Sequence, residues 1–414
     1  MLLLFISLLV IPDKDATVSW LRFRGPNGTG QASGFHWPKS WNQQAIRWKI
    51  ALPGTGHGSP IVDRGSIYLQ ASDQLGTERL LLAINTSDGR QRWQQRFNNQ
   101  RKAHTHAKNS LASGTAASDG ERIFFCLWDG AAVHLVCCLS ENGTVIWQAA
   151  LGIHQSQHGA AYSPTVLEDK VYIVNDSDNH AEIFCFQAQT GKKVWSQVRQ
   201  AFRASYSTPL VHHGHAGHEL IVVSTAGITA YEPPTGRVVW NQPWPFANKP
   251  LRVVNSPLLC SNHVLLASSG DGAGDRDTIC LKLPTADITE DRQTRLLWQK
   301  TRDLPYVTCL LEHRNHVYFV ADKGVAGCLD LETGKERWTQ RLSGNYTASP
   351  ILVDGKIIAC SEDGDITVFE ALPDRFVLTG KLKLDDNILA SPALAEGKLI
   401  IRGTKFLYCV GDKP

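Results

Sequence analysis

Hydrophobic and polar residues alternate along most of the chain, in short runs separated by residues that favour tight turns. The stretch "SPILVDGKIIACSEDGDITVFEA" (349–371) contains three such runs, with an Asp-Gly pair between the first two and a polar loop before the third. Side chains of a β-strand point alternately to two faces, so a period of two predicts strands. Asp-Gly between two such runs predicts a hairpin. The pattern therefore predicts short antiparallel strands.

The same unit recurs along the chain, and a Gly followed four residues later by Trp closes it. The phrase appears as "ENGTVIW" (141–147), "QTGKKVW" (189–195), "PTGRVVW" (234–240) and "LETGKERW" (331–338). The closing tryptophans are Trp48, Trp93, Trp147, Trp195, Trp240, Trp298 and Trp338. Leu378 stands where an eighth Trp is expected, and Thr294 stands where one turn Gly is expected. A second marker opens each unit as "SPIV" (59–62), "TAAS" (115–118), "SPTV" (163–166), "TPLV" (208–211), "SPLL" (256–259), "TCLL" (308–311), "SPIL" (349–352) and "SPAL" (391–394).

Eight four-stranded units of this length predict an eight-bladed β-propeller over residues 20–414. The last unit, residues 391–414, ends after its third strand, whereas Trp48 ends a fourth strand that has no unit before it. We therefore expect residues 44–50 to supply the outer strand of blade eight and to close the ring without an unpaired edge. Each Gly is expected to form a left-handed turn, and each Trp to fill the wedge between neighbouring blades.

The ends of the chain and its composition limit where the protein works. An apolar run, Leu2 to Ile11, is too short to cross a bilayer and predicts a signal peptide at 1–19. The first cysteine is Cys126, so no lipid-accepting Cys follows this run. We expect a periplasmic or secreted protein that is monomeric and does not span the membrane. A net charge of +3 gives no reason to expect a nucleic-acid partner.

These repeats resemble the PQQ-like β-propeller family, which includes quinoprotein alcohol dehydrogenases and BamB-like assembly scaffolds. A subgroup of exported members shares "FRGPNGTG" (23–30), "WKIALPGTGHGSP" (48–60), "HAKNSLASGT" (106–115) and the ending at 389–411. The resemblance implies the propeller fold. It leaves the function open, because one fold hosts many activities.

The quinoprotein members hold their quinone between a disulfide of adjacent cysteines and a Trp, with carboxylates that bind calcium beside a catalytic Asp. This chain has one adjacent pair, Cys137 and Cys138. When the units are aligned on the turn Gly, Cys137 shares a column with Ala83, Cys185, Ala230 and Cys328, so the column takes a small core residue. We therefore expect no PQQ cofactor, and a PQQ-dependent alcohol or sugar oxidoreductase remains the alternative function.

The loops from each fourth strand to the next first strand meet at one face of a propeller, around its axis. Here these loops are rich in basic residues and histidine, with carboxylates only at Asp303, Asp385 and Asp386. The loops between second and third strands carry many Asp residues, including Asp176 and Asp271, which predicts an acidic outer ring. The candidate binding residues of this funnel are His57, His104, His106, Lys108, Asn109, His158, Arg203, Tyr206, Arg252 and Tyr306.

A basic inner ring favours a protein segment or an anionic ligand near the axis. The alternative is that these loops are solvated and bind nothing specific. Apolar residues that we expect to be exposed at the mouth are Phe202, Tyr206, Phe246, Leu251, Tyr306 and Tyr346. A weak metal candidate on the opposite face comprises His212, His213, His215 and His218, whose spacing matches no tetrahedral site. With no catalytic constellation in the sequence, we expect a non-catalytic binding scaffold.

Overall fold

The computed structural model describes residues 19–99, 103, 105–178, 180–214, 217–244, 251–284 and 294–412. Residues 1–18 of the predicted signal peptide lie outside this part of the chain. The regular elements of the described residues are β-strands, apart from the short 3-10 turns Pro26–Gly28, Gln43–Ala45 and Ser261–His263.

The strands form eight sheets, each containing a four-stranded antiparallel blade, and in blades one to seven these four strands follow the chain from the axis outward. Blades one to four comprise β3 (Ile61–Asp63), β4 (Ser66–Ser72), β5 (Glu78–Asn85) and β6 (Gln91–Asn98); β7 (Ala117–Ser118), β8 (Arg122–Trp128), β9 (Ala132–Leu139) and β10 (Val145–Ile153); β11 (Thr165–Leu167), β12 (Lys170–Asp176), β13 (Ala181–Gln187) and β14 (Lys193–Val198); β15 (Leu210–Gly214), β16 (Gly217–Ser224), β17 (Gly227–Tyr231) and β18 (Val238–Pro243).

Blades five to seven repeat this arrangement. They comprise β19 (Leu258–Cys260), β20 (Val264–Gly270), β21 (Arg276–Lys282) and β22 (Arg295–Lys300); β23 (Leu311–His313), β24 (His316–Val320), β25 (Val325–Asp330) and β26 (Glu336–Arg341); β27 (Ile351–Val353), β28 (Lys356–Cys360), β29 (Asp365–Glu370) and β30 (Leu378–Lys383). A fifth strand, β1 (Gln31–Ala32), pairs in parallel with β27 at the inner edge of blade seven.

Blade eight joins the two ends of the chain, as predicted. It contains β31 (Ala393–Ala395), β32 (Lys398–Arg402), β33 (Phe406–Val410) and, as its outer strand, β2 (Ile46–Ala51). In the β2 and β33 pairing, Trp48 lies opposite Cys409. The predicted eight-bladed propeller, closed by the N-terminal strand near Trp48, is therefore confirmed.

The repeated Trp bonds one blade to the next. In six cases its indole Nε1 donates a hydrogen bond to a backbone carbonyl at the turn that precedes the following blade's fourth strand, at 2.8–3.1 Å. Trp147, for example, donates to Ala188 O at 2.9 Å and packs on Gly191, where an added Cβ would lie 2.5 Å from the indole. Gly191 has a φ of 68°, which favours Gly. The turn Gly therefore provides both the left-handed turn and the space for the indole.

The two boundaries that lack a Gly or Trp use other contacts. Trp240 faces the blade that has Thr294 in place of Gly, and its Nε1 donates instead to Glu219 Oε2 at 3.1 Å within its own blade. At blade seven, Leu378 replaces Trp and is exposed. There Trp41, from the N-terminal segment, packs against Gly380. The sequence departures therefore mark real changes in blade docking.

The opening marker of each unit forms a ring of hydrogen bonds around the axis. At seven of the eight blade boundaries in the described chain, a marker backbone N–H donates to the side chain of the next marker, at 2.9–3.3 Å. The last of these runs from Ser391 N to Ser59 Oγ and closes the circle. In blade six the ring residue is Cys309, so the alignment on Thr308 was wrong by one position; the Thr308 hydroxyl donates to Val320 O within its blade.

The N-terminal segment crosses the central channel beside this ring. Trp20 is fully buried and pairs with Val62 of blade one. Arg24, which is 1% exposed, donates to Leu310 O at 2.8 Å and to Pro350 O at 2.9 Å, in blades six and seven. Asn27 of the same segment donates from Nδ2 to Val211 O of blade four at 2.7 Å, so the segment reaches across the channel and closes it from one face.

Candidate functional site

A cavity of about 680 Å³ lies on the axis. The ring of marker hydrogen bonds separates it from the N-terminal segment. Six marker residues form part of its wall: Ser59, Thr115, Ser163, Thr208, Ser349 and Ser391. Phe23 of the N-terminal segment also lines it, and therefore forms its floor. This volume is within the range of small-molecule binding sites. The other lining residues come mainly from the loops of the predicted funnel face.

Nine of the ten predicted funnel residues line this cavity. The loops that enter blades one to three supply His57, His106, Lys108, Asn109 and His158. The loops that enter blades four to six supply Arg203, Tyr206, Arg252 and Tyr306. The tenth, His104, lies outside the described residues. The repeat alignment predicted which loops converge, because successive repeats form successive blades and equivalent loops of all blades lie at the same face.

The predicted separation of a basic inner ring from an acidic outer ring is wrong. Asp271, Asp322 and Glu362, all from loops between second and third strands, reach the cavity wall. Asp271 had been assigned to the outer ring, and the other two had not been identified as site residues. The sequence signal that could have identified them is the short polar loop that follows each second strand, which lies just behind the inner loops.

Two of these carboxylates neutralise or position cavity residues. Glu362 pairs with Lys108 at 2.6 Å, bridging the loops of blades seven and two. Asp322 accepts from Tyr306 N at 3.0 Å and pairs with Arg276 at 3.1 Å, which fixes the Tyr306 loop. The Lys108 charge is therefore partly compensated within the wall.

Arg252 and Arg203 are cations of the opposite wall. Arg252 is 4% exposed, and its Nη1 has no hydrogen-bond acceptor among the described residues; Asp178 Oδ1 is 4.0 Å away. A buried guanidinium without a full set of acceptors is costly. The Arg203 side chain is partly exposed, and its backbone N–H is anchored by Thr225 Oγ1 at 3.1 Å. This wall is the part of the cavity best suited to an anionic group.

Two of the cavity histidines, His57 and His158, contribute polarity rather than positive charge at neutral pH. Burial, reinforced by the neighbouring Arg402, lowers the pKa of His57 to about 4. Burial and the charges of Arg252, His106 and Arg203 likewise lower the pKa of His158 to about 4. His158 packs against His106 with ring centroids 4.6 Å apart. The rings of His57 and His158 can therefore act as neutral hydrogen-bonding groups.

Arg199 belongs to the basic loop that enters blade four, which the sequence places around the axis, but it is buried in blade three. Its Nη1 lies 3.6 Å from Asp176 Oδ2, and both side chains are almost inaccessible. Burial raises the pKa of Asp176 to about 6. The pair belongs to the core beside the cavity, because the start of its loop folds back onto the second strand.

The predicted aromatic mouth is only partly present. Phe202 is 45% exposed, and Tyr206 and Tyr306 are partly buried in the cavity wall. Leu251 and Tyr346 are buried, at 5% and 1% exposure, so the prediction that they are exposed is wrong. Phe246 lies outside the described residues. Of the six predicted mouth residues, Tyr206, Tyr306 and Tyr346 line the cavity.

The residues present do not fit the quinone site that the resemblance to quinoprotein enzymes implies. Cys137 and Cys138 lie in β9, fully buried as free thiols, and pack toward opposite neighbouring blades rather than over the cavity. No Trp lines the cavity among the described residues. Asp271 accepts three backbone N–H groups of its own loop, and the other two lining carboxylates form ion pairs.

The histidine hairpin on the opposite face makes packing contacts. His212 Nδ1 is 3.1 Å from Glu219 Oε2, and its Nε2 is 2.9 Å from His263 Nδ1. The rings of His213 and His218 are in contact with centroids 4.3 Å apart and planes tilted by 58°, while His215 lies outside the described residues. Across the described ranges, no group of three or more His, Cys, Asp or Glu side chains is arranged to hold a metal ion.

Comparison with known proteins relates the chain to one family. The sequence profile described as "Outer membrane protein assembly factor BamB" matches residues 40–113, 82–324 and 290–373, well over half of the chain. A protein of that name from Nitrosomonas eutropha is 22% identical over 372 residues, covering 88% of this chain and 68% of the relative.

Solved structures show the same fold at low identity. The crystal structure of BamB from Moraxella catarrhalis has a TM-score of 0.64 at 15% identity, covering 89% of this chain and 97% of its own. The quinohemoprotein alcohol dehydrogenase of Comamonas testosteroni has a TM-score of 0.67 at 12% identity, covering 96% and 81% respectively. In the described part of the chain, no helix is both long and apolar enough to cross a membrane.

Proposed function

Because the chain belongs to the family of the outer membrane protein assembly factor BamB, we propose that it is a non-catalytic binding scaffold of the cell envelope. Its working surface is the blind cavity on the axis, and its ligand is a segment of a partner protein. The observation that carries this proposal is the convergence of the predicted funnel residues on one cavity with a cationic wall.

The cysteines and carboxylates support a binding scaffold rather than a PQQ-dependent oxidoreductase. The adjacent cysteines lie in the core of blade two, and the lining carboxylates are already engaged. The resemblance to quinohemoprotein alcohol dehydrogenase is one of fold, which does not carry function with it. We propose that the protein works without PQQ, outside the cytoplasm, and as a monomer.

The experiment places a photo-crosslinking amino acid at Tyr306, in the cavity, and at Leu75, an exposed control site in blade one. We expect a discrete crosslinked partner from Tyr306 in intact cells and none from Leu75. The partner should be lost in the Arg203→Glu/Arg252→Gln variant, because the cationic wall is removed. Arg252 takes Gln rather than Glu because a carboxylate there would be buried close to Asp178.

The matched control is Arg341→Glu, which changes an exposed charge at the end of β26, away from the cavity. It should leave crosslinking and melting temperature unchanged. Equal crosslinking in the cavity variant and the wild type, with both folded, would refute the proposed use of this cavity.

A further inference from the structure

A chain of hydrogen bonds leads from the core of blade three to the cavity wall at Tyr206. Tyr162 Oη lies 2.7 Å from Asp176 O and 2.9 Å from His154 Nδ1. His154 Nε2 lies 2.9 Å from Ser156 Oγ, which is 3.1 Å from Tyr206 Oη. Of the four side chains in this series of hydrogen bonds, only that of Tyr206, the last, lines the cavity.

The direction of every bond in this chain can be derived. A carbonyl oxygen only accepts, so the single O–H of Tyr162 is donated to Asp176 O. His154 Nδ1 must then carry a hydrogen and donate to Tyr162 Oη. Burial lowers the pKa of His154, so the ring is neutral at pH 7 and its Nε2 is an acceptor.

Ser156 links the direction of these hydrogen bonds to Tyr206 in the cavity wall. Ser156 Oγ lies 2.9 Å from His154 Nε2 and 3.3 Å from Gly159 O, and the shorter contact, to a ring nitrogen that carries no hydrogen, receives its O–H. Ser156 Oγ then accepts from Gly159 N at 3.0 Å and from the Tyr206 O–H at 3.1 Å. Burial raises the pKa of Tyr206, which therefore keeps its single hydrogen at pH 7. With that hydrogen directed to Ser156, the Tyr206 oxygen can only accept a hydrogen bond from a ligand.

The acceptor at Tyr206 lies beside donors. Arg252 and Arg203 are close enough to influence Tyr206 electrostatically, and Tyr206 N donates to Val253 O at 2.9 Å, next to Arg252. Arg252 has an Nη1 group with no hydrogen bond to the described residues. This wall thus combines cationic donors for an anion with one neutral acceptor for an adjacent N–H or O–H.

The closed floor restricts what can enter. The N-terminal segment spans the channel, and Phe23 lines the cavity from below. A polymer cannot thread through such a cavity, so only a chain end or a small molecule fits. A linear peptide ends in a carboxylate next to an amide N–H, which matches the two kinds of group on the wall.

We propose that the cavity binds the free C-terminal end of a polypeptide, with the carboxylate on Arg252 and Arg203 and the last amide N–H on Tyr206. This inference rests on the proposed function and specifies its ligand. The shared chemistry also occurs in small N-acylated amino acids, so the test has to distinguish the two sources.

The test measures binding to the purified chain by competition against a fluorescein-labelled pool of random hexapeptides with free C-termini. The competitors are the unlabelled free-acid pool, the same pool as C-terminal amides, the pool N-methylated at the last amide, and an acetylated amino-acid mixture. We expect the amide pool to bind on the order of tenfold more weakly or worse, because charge-assisted hydrogen bonds are lost.

The Tyr206→Phe variant identifies the acceptor. N-methylation should weaken binding about fivefold in the wild type but have no further effect in Tyr206→Phe, because the same bond is already lost. Tyr318→Phe, which removes a buried hydroxyl that donates to Ala371 O in the core, should behave as the wild type. Binding of the acetylated amino acids as tight as that of the peptides would assign the cavity to a small molecule.

Failure of this inference can be separated from failure of the proposed function. Equal binding of acid and amide pools, or no binding of either, overturns the C-terminal inference. The scaffold proposal then still stands if Tyr306 crosslinks a partner that the cavity variant loses. Loss of both results would reject the cavity as a binding site.

Discussion

Substitution of Gly191 by Ala tests the docking of the blades at a single contact. At its φ of 68°, Ala would adopt a left-handed conformation, which costs about 1–2 kcal/mol. The new Cβ would also lie 2.5 Å from Trp147 Cδ2, closer than real Cβ contacts allow. Overpacking of this kind costs about 1–3 kcal/mol more. We therefore expect a loss of unfolding free energy of about 2–5 kcal/mol.

A matched control separates the two contributions. Gly355 has a φ of 77° in a blade-seven hairpin, and its added Cβ would meet only His313 Nε2 within 4 Å, at 3.9 Å. Gly355→Ala should therefore show the backbone strain alone, about 1–2 kcal/mol. Both variants can be compared by guanidinium unfolding followed by circular dichroism.

A double-mutant cycle completes the test. Trp147→Ala removes a buried aromatic and its hydrogen bond to Ala188 O, at a cost of about 3–5 kcal/mol. In that background the clash is gone, so Gly191→Ala should cost only the strain. The two substitutions should then be non-additive by about 1–3 kcal/mol. Additive effects, or equal losses for Gly191→Ala and Gly355→Ala, would refute this account of docking.

Two further predictions concern titration and thiol state. The pKa values of His57 and His158 are about 4 in the folded chain and near 6.5 when unfolded, so the unfolded state binds more protons between these values. The unfolding free energy, measured by guanidinium unfolding, should therefore fall as pH drops from about 6.5 toward 4. It should fall less steeply in the double variant His57→Asn/His158→Asn. The same dependence of unfolding free energy on pH in both proteins would contradict this. Burial raises the pKa of Cys137 and Cys138, so a thiol reagent should leave both unlabelled in the native protein. Denatured protein that has not been reduced should yield ten labelled thiols by mass spectrometry. Fewer than ten labelled thiols would indicate a disulfide.

The extent to which the site could be predicted differs between its backbone and its side chains. The loops that carry His57, His158 and Arg252 were assigned to one cavity from repeat order alone, since a closed ring brings equivalent loops to one face. The sequence did not reveal that Glu362 and Asp322 also reach the wall. Their positions depend on how far each loop leans toward the axis, which no periodic pattern encodes.

The amino-acid sequence by itself determined the fold, because eight copies of one local pattern leave little freedom. The turn Gly, the docking Trp and the missing fourth strand are local signals, and even Thr294 and Leu378 marked the boundaries that differ. The tertiary structure alone decided which charges remain available. It buries Arg199 against Asp176, pairs Lys108 with Glu362, leaves Arg252 Nη1 without an acceptor among the described residues, and passes Phe23 beneath the cavity. These contacts join residues far apart in sequence, so their charge and burial depend on distances that only the folded ring sets.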